Sequence, residues 1–175
     1  MTETFKDLFT RSYQARRENR LADSRAVFIE GVRRAAIEGD RSALAEALCG
    51  LAQAERGIGN LEAAGHHYAN AVVLYRELGL KGRLAYAIRH EADILRETGK
   101  VGEAEPLYLE AEEIYRQLGE PATLDLANTL RGLALVNEAT AKTEASKALW
   151  QEARVLYAKC DVQPGVAECN KKLSQ

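Results

Sequence analysis

Cysteine, proline and histidine are scarce in this 175-residue chain, at three each, and tryptophan and methionine occur once. Cys49, Cys160 and Cys169 are odd in number and show no CxxC spacing, so neither a disulfide framework nor a four-ligand zinc site is expected, and the thiols are read as reduced. Long apolar runs are missing too. No stretch approaches the roughly 18 apolar residues of a membrane helix, and the opening MTETFKDLFTRSYQARREN lacks the apolar core of a signal peptide, which places the protein in the cytoplasm as an expectation. A marked charge of either sign is also lacking. A net charge of -2 and a pI near 6.0 argue against a dedicated nucleic-acid binder, whose phosphate contacts require a surplus of Lys and Arg.

What is present is a composition of 46% hydrophobic and 29% charged residues, enough for one ordered domain with a real core. It is also a repeat. The segments GNLEAAGHHYANAVVLYRELG from Gly59, GKVGEAEPLYLEAEEIYRQLG from Gly99 and AKTEASKALWQEARVLYAKCD from Ala141 align, with Tyr68, Tyr108 and Trp150 in register and Tyr75, Tyr115 and Tyr157 seven residues later. An earlier copy, NRLADSRAVFIEGVRRAAIEGD, sets Phe28 forty residues before Tyr68. Each copy follows a partner segment with apolar or small residues at helical spacing, such as Leu48, Leu51 and Ala52, or Leu130, Leu133 and Ala134. Every unit is therefore two amphipathic helices. Gly59 and Gly99 end first helices, Gly79 and Gly119 separate units, Pro121 and Pro164 follow helix ends, and Pro106 near a helix start predicts a mild local adjustment.

These residues resemble the tetratricopeptide repeat, with large apolar residues at positions 4, 7, 11 and 24 of each unit and small ones at 8, 20 and 27. Leu48, Leu51, Ala52, Ala64, Tyr68 and Ala71 fill positions 4, 7, 8, 20, 24 and 27 of the second unit, and Ile88, Glu91, Ala92, Ala104, Tyr108 and Ala111 those of the third. Units of 40 to 42 residues are similar to the long subtype of kinesin light chains. The resemblance implies an all-α, right-handed α-solenoid of four helix pairs, with repeats 3–40, 41–81, 82–122 and 123–162 and a capping helix at 165–174, forming a single domain over 1–175. Arg11 and Ser12 depart from the Leu and Gly of the pattern, leaving the first register open, while Glu91 at a core position and Glu55 where the pattern expects an aromatic predict looser packing.

By family geometry, first helices line a concave groove that receives a protein or peptide segment. The residues implied to face it are Tyr13, Arg16, Gln53, Arg56, Tyr86, Arg89, His90, Asp93, Arg96, Asn128 and Arg131, with Cys49 among the neighbouring positions. Arginine recurs in this set. Two readings of it stand open: guanidinium groups that bind carboxylates of an acidic ligand, or ordinary pairs with nearby acids such as Asp93. The Lys and Asn set of chaperone-tail binders is missing.

No enzyme is expected, because no nucleophile with a paired base is readable. His66 and His67 point about 100° apart on a helix, which disfavours a metal site. No cofactor, metal, nucleic acid or membrane is expected, and the oligomeric state is read as monomer or weak homodimer. Tyr75, Tyr115 and Tyr157 are read as inter-repeat core with hydroxyls reaching the surface. The rival function is a regulatory sensor, in which a small molecule or signalling peptide controls an effector.

Overall fold

A computed structural model describes residues 3–175, so the first two positions of the expected domain lie outside the described residues. The described chain is helical throughout, as α1 (Phe5–Arg17), α2 (Leu21–Glu38), α3 (Arg41–Ile58), α4 (Leu61–Glu77), α5 (Lys81–Glu97), α6 (Val101–Leu118), α7 (Thr123–Ala139), α8 (Thr143–Lys159) and α9 (Gln163–Leu173), with a 3-10 turn at Glu120–Ala122 before α7. These are the four expected helix pairs and the cap. Pro106 sits inside α6 without breaking it.

The helix ends follow from local chemistry. Thr4 caps α1 by accepting the Asp7 amide at 3.2 Å, and Asp40 caps α3 through the Ala43 amide at 2.9 Å. Each helix junction is turned by one residue with positive φ. Gly39, Gly59, Gly79, Gly99 and Gly119 do this with φ between 68° and 94°, while Asn19, Ala141 and Asp161 do it without glycine, at 59°, 59° and 54°. A reversal about every twenty residues sets the repeat length.

Packing divides the chain into Met1–Ala87 and Ile88–Gln175, with the division inside α5. In the first unit α1 packs on α2 and α3, and α3 packs on both α2 and α4. Its core joins Leu8, Phe9, Phe28, Ala43, Ala47 and Leu51, with Phe28 fully buried and 5.9 Å from the Phe9 ring. Small residues let the helices cross closely, as expected: Ser12 and Ser24 are both fully buried, and the Ser12 hydroxyl donates to the Ser24 carbonyl at 2.8 Å. That contact fixes the first register, with Ser12 at position 8 and Ser24 at position 20. Gly50 lies directly beneath Phe28, where an added Cβ would stand 2.1 Å from the ring.

The second unit repeats the scheme. Consecutive helices from α6 to α9 pack on one another, and Ala92, Ala104, Tyr108, Leu133 and Val136 form a core cluster. The Ser146 hydroxyl at position 20 donates to the Ala134 carbonyl at position 8 at 3.0 Å, joining the same two positions as in α1 and α2 with donor and acceptor exchanged. Gly132 lies beneath Tyr108, and Gly165 beneath Tyr157.

Glu55 does not loosen the packing. It is 3% exposed and accepts from Arg25 Nε at 2.6 Å and from Asn60 Nδ2 at 3.2 Å, so an ion pair replaces the aromatic side chain of the pattern. The tyrosine hydroxyls also differ from expectation. The Tyr157 hydroxyl donates to Asn128 Oδ1 at 2.8 Å instead of reaching solvent, because burial of the ring against Gly165 directs it across to α7.

Candidate ligand-binding face

In the first unit, α1, α3 and the start of α5 supply the first-helix face. Tyr13 is half-buried with its ring edge-on to Phe28 at 5.3 Å, and burial, aided by Glu46, raises its pKa above the ordinary phenol value. The Arg16 guanidinium lies 5.6 Å over the Tyr13 ring. Gln53 Nε2 donates to the Tyr86 hydroxyl, bringing those two expected residues together, and its Oε1 is buried with no hydrogen-bond partner. Arg56 stands half-buried in the last turn of α3. Cys49, one of the positions expected on this face, is only 4% exposed; burial pushes its thiol up to about 12 despite a hydrogen bond from Tyr75.

A cleft of about 420 Å³ opens on this face. Phe5, Phe9, Tyr13 and Ala43 give it an apolar lining, Lys6 stands at its edge, and Glu46 is held across it by Arg83 at 2.7 Å. Among the described residues, no carboxylate lies within ion-pair distance of Lys6, Arg16 or Arg17. Sequence reasoning missed Phe5, Lys6 and Phe9 as face residues. The Ser12 and Ser24 pairing of small residues, once recognised as the register marker, would have placed Lys6 and Phe9 at inward positions 2 and 5.

In the second unit, the face is built from the end of α5, from α7 and from α9. Arg89 and Asp93 are buried, at 8% and 9% exposure. Arg89 Nη1 lies 3.2 Å from Asp93 Oδ2, and Arg89 Nη2 contacts His90 Nε2 at 2.8 Å, with Asp125 at 4.0 Å. The Tyr108 hydroxyl donates to the other carboxylate oxygen of Asp93 at 2.6 Å and receives Arg96 Nε at 3.4 Å. Burial alone would raise the Asp93 pKa, but His90, Arg89 and Tyr108 outweigh it and hold the carboxyl at about 2.

Asn128 is engaged by Tyr157, and Arg131 Nε and Nη2 each donate to one carboxylate oxygen of Glu168 on α9 at 2.7 Å. Glu138 accepts the Trp150 indole N–H at 2.7 Å and pairs with Lys172 at 2.6 Å. The expected arginines of this unit are thus tied to acids of the chain itself, Arg89 to Asp93, Arg96 to Glu97 and Arg131 to Glu168. Glu168 and Tyr108 were not read as members of the face: Glu168 lies on the capping helix, and Tyr108 carried only a core signal.

The other candidate groups stand apart from this face. His66 is exposed, and His67 is half-buried with its pKa lowered by burial in spite of the nearby Glu55 carboxylate. Among the described residues, no helix is long and apolar enough to cross a membrane.

Comparison with known proteins agrees with this architecture. Residues 83–159 match the family model described as Tetratricopeptide repeat. The crystal structure of BtubC (BKLC) from P. vanneervenii superposes with a TM-score of 0.81 at 18% identity, covering 90% of this chain and 64% of that one. A Podosopora anserina kinesin light chain with nearly identical TPR-like repeats gives 0.81 at 13% identity over 99% of this chain and 86% of that one. A Rap protein complexed with Competence and Sporulation Factor gives 0.79 at 15% identity over 97% of this chain and 47% of that one. The chain thus spans less than two thirds of BtubC and about half of the Rap protein. No curated protein matches by sequence. Residues 83–159 thus match the tetratricopeptide repeat, and the fold of the described chain is similar to that of kinesin-light-chain-like repeat structures.

Proposed function

We propose that the protein is a non-enzymatic interaction module that holds a protein or peptide segment on the face formed by its first helices, as a cytoplasmic monomer or weak homodimer. The tetratricopeptide fold generally serves as a protein-interaction scaffold, and solenoids of this kind present extended surfaces for binding. The observation that carries the reading is the open, apolar-floored cleft between α1 and α3, at whose edge Lys6 has no acid partner among the described residues.

Site-specific photo-cross-linking tests it. A photoreactive residue placed at Thr10 or Asn128 on first helices should capture a partner from lysate, whereas one at Asn70 on a second helix should not. Capture from the second-helix position alone would overturn the reading.

The rival reading, a ligand-controlled sensor, draws support from the likeness to a Rap protein solved with Competence and Sporulation Factor. X-ray scattering with and without the captured partner separates the two, since only a sensor changes its profile.

A further inference from the structure

A second surface lies away from the first-helix face, where α9 meets α8. Residues of α9 stand forty places after their counterparts on α7: Lys172 lies 5.8 Å over the Trp150 ring as Gly132 lies beneath Tyr108, and Cys169 is fully buried like Thr129. α8 packs on α7, whose Leu126, Leu130 and Leu133 are all buried. On α9 the same places hold Val166, Asn170 and Leu173, of which Val166 and Leu173 are half-buried and Asn170 is exposed. The side on which a first helix receives its second helix therefore stands open on α9.

α8 supplies the other wall. A groove of about 630 Å³ is floored by Val155, Ala158 and Val166 and edged by Arg154, Lys159 and Asn170. Val155 is 51% exposed. Arg154 takes the place, four residues after the central aromatic, that Val72 fills in α4 with 6% exposure. Its guanidinium donates to Asn170 Oδ1 at 3.3 Å, a neutral acceptor that leaves the charge in place. Among the described residues, no carboxylate lies within ion-pair distance of Arg154 or Lys159. Three acids of α8, α9 and the turn between them are engaged elsewhere: Glu152 by Arg116, Asp161 by Gln163 and Glu168 by Arg131.

We infer that the groove between α8 and α9 receives an acidic amphipathic helix of another protein, laid against α9 as α8 lies against α7. The apolar floor selects a guest with a leucine stripe at helical spacing, and Ala158, which lacks bulk, lets the helix axes approach to about 8–10 Å. Arg154 and Lys159 are five residues apart, about 7.5 Å along α8, so glutamates one turn apart on the guest, about 6 Å, reach both cations. A basic helix would meet two cations and no acid, and a wholly apolar one would bury them unpaired. The groove shares no residue with the cleft between α1 and α3, so the inferred helix is a partner additional to the one held on the first-helix face.

The test is fluorescence anisotropy of the full chain with the labelled helical probe Ala-Glu-Leu-Ala-Glu-Leu-Leu-Ala-Glu-Leu-Ala-Glu-Leu-Leu. Saturable binding is expected, weakened roughly tenfold or more when the probe's glutamates become lysine. Arg154→Glu/Lys159→Glu and Val155→Asp, changed at exposed positions, should melt like the parent and lose binding by a similar factor, whereas Lys6→Glu should bind as the parent does. Amide chemical shifts of the parent protein give a readout that needs no variant: residues 154–159 and 166–170 should move on probe addition. No binding, equal binding of the lysine probe, undiminished binding by both variants, or shifts confined to the first helices would overturn the inference. Dimerisation of the chain alone that Arg154→Glu/Lys159→Glu abolishes would give the groove to a second copy and overturn it too. Each of these failures leaves capture from Thr10, and with it the proposed function, untouched.

Discussion

The Tyr108 hydroxyl donates to Asp93 Oδ1 at 2.6 Å, joining the central aromatic of α6 to an acid on the face of α5. Core and surface chemistry meet in that bond. The ring of Tyr108 is fully buried over Gly132, while its hydroxyl fixes the carboxylate that also orients Arg89. A large side chain in the repeat core thereby sets the geometry of the polar face.

Asp93 should therefore make stability depend on acid. Its carboxyl stands at about 2 against an ordinary 3.8, because Arg89, His90 and Tyr108 outweigh its burial. A depressed carboxyl pKa contributes stability that is complete above the unfolded value and is lost as pH falls through the folded one. The contribution is about 2 kcal/mol, lost between roughly pH 4 and pH 2. Asp93→Asn should lower neutral-pH stability by about that much and flatten the stability curve over the same window. Urea denaturation at a series of pH values measures both; a parallel curve for the variant would contradict the assignment.

Gly50 and Gly132 lie under the rings of Phe28 and Tyr108, where an added methyl would stand 2.1 Å and 2.4 Å from ring atoms. Alanine favours a helix by about 1 kcal/mol over glycine, but overpacking costs about 1–3 kcal/mol. Because each ring is fully buried and has no room to retreat, the packing cost wins. Either glycine changed to alanine should destabilise by about 2 kcal/mol in thermal or urea melts. Gly102→Ala, with open space around its Cβ, should be neutral or stabilising.

The fold was legible because it repeats. Aromatic residues at fixed spacing and glycine between helices give the elements directly, and both patterns follow from how helix pairs stack. The site was less legible. Family positions identify which residues face inward but not their partners: Arg131 meets Glu168 across thirty-seven residues, and Arg83 meets Glu46 across the same separation. The structure thus joins an arginine of the expected stripe to an acid on a helix one repeat away, a pairing that spacing along one helix does not reveal. Lys6 was obscured for another reason, since Ser12 replaces the small apolar residue that marks the register, and its fit appears only in the buried contact with Ser24.

Glu55 offers a direct comparison of an ion pair with an apolar side chain. It is buried and held by Arg25, whose own side chain is 45% exposed, and Leu95 fills the equivalent place in the next unit. Removing the charge together with its desolvation cost is often neutral or favourable, whereas removing only the partner strands the carboxylate. Glu55→Leu should raise stability by about 1 kcal/mol, and Arg25→Ala should lower it by about 1–3 kcal/mol. Calorimetric melting of the two variants checks the pair of opposite signs.

Ala141 turns the junction between α7 and α8 at φ 59°, a conformation that glycine supplies at Gly59 and Gly99 in the two preceding units. An L-residue with a Cβ pays about 1–2 kcal/mol there, although glycine returns part of that by its freer unfolded chain. Ala141→Gly should therefore stabilise by about 0.5 kcal/mol. Asn19 and Asp161 occupy the same conformation with side chains that tolerate it, and Asp161 also accepts Gln163 Nε2 at 2.9 Å. Their glycine variants should show no gain, and Asp161→Gly a small loss. Melting the three variants side by side isolates the backbone contribution, and an equal response at all three junctions would refute a cost specific to Ala141.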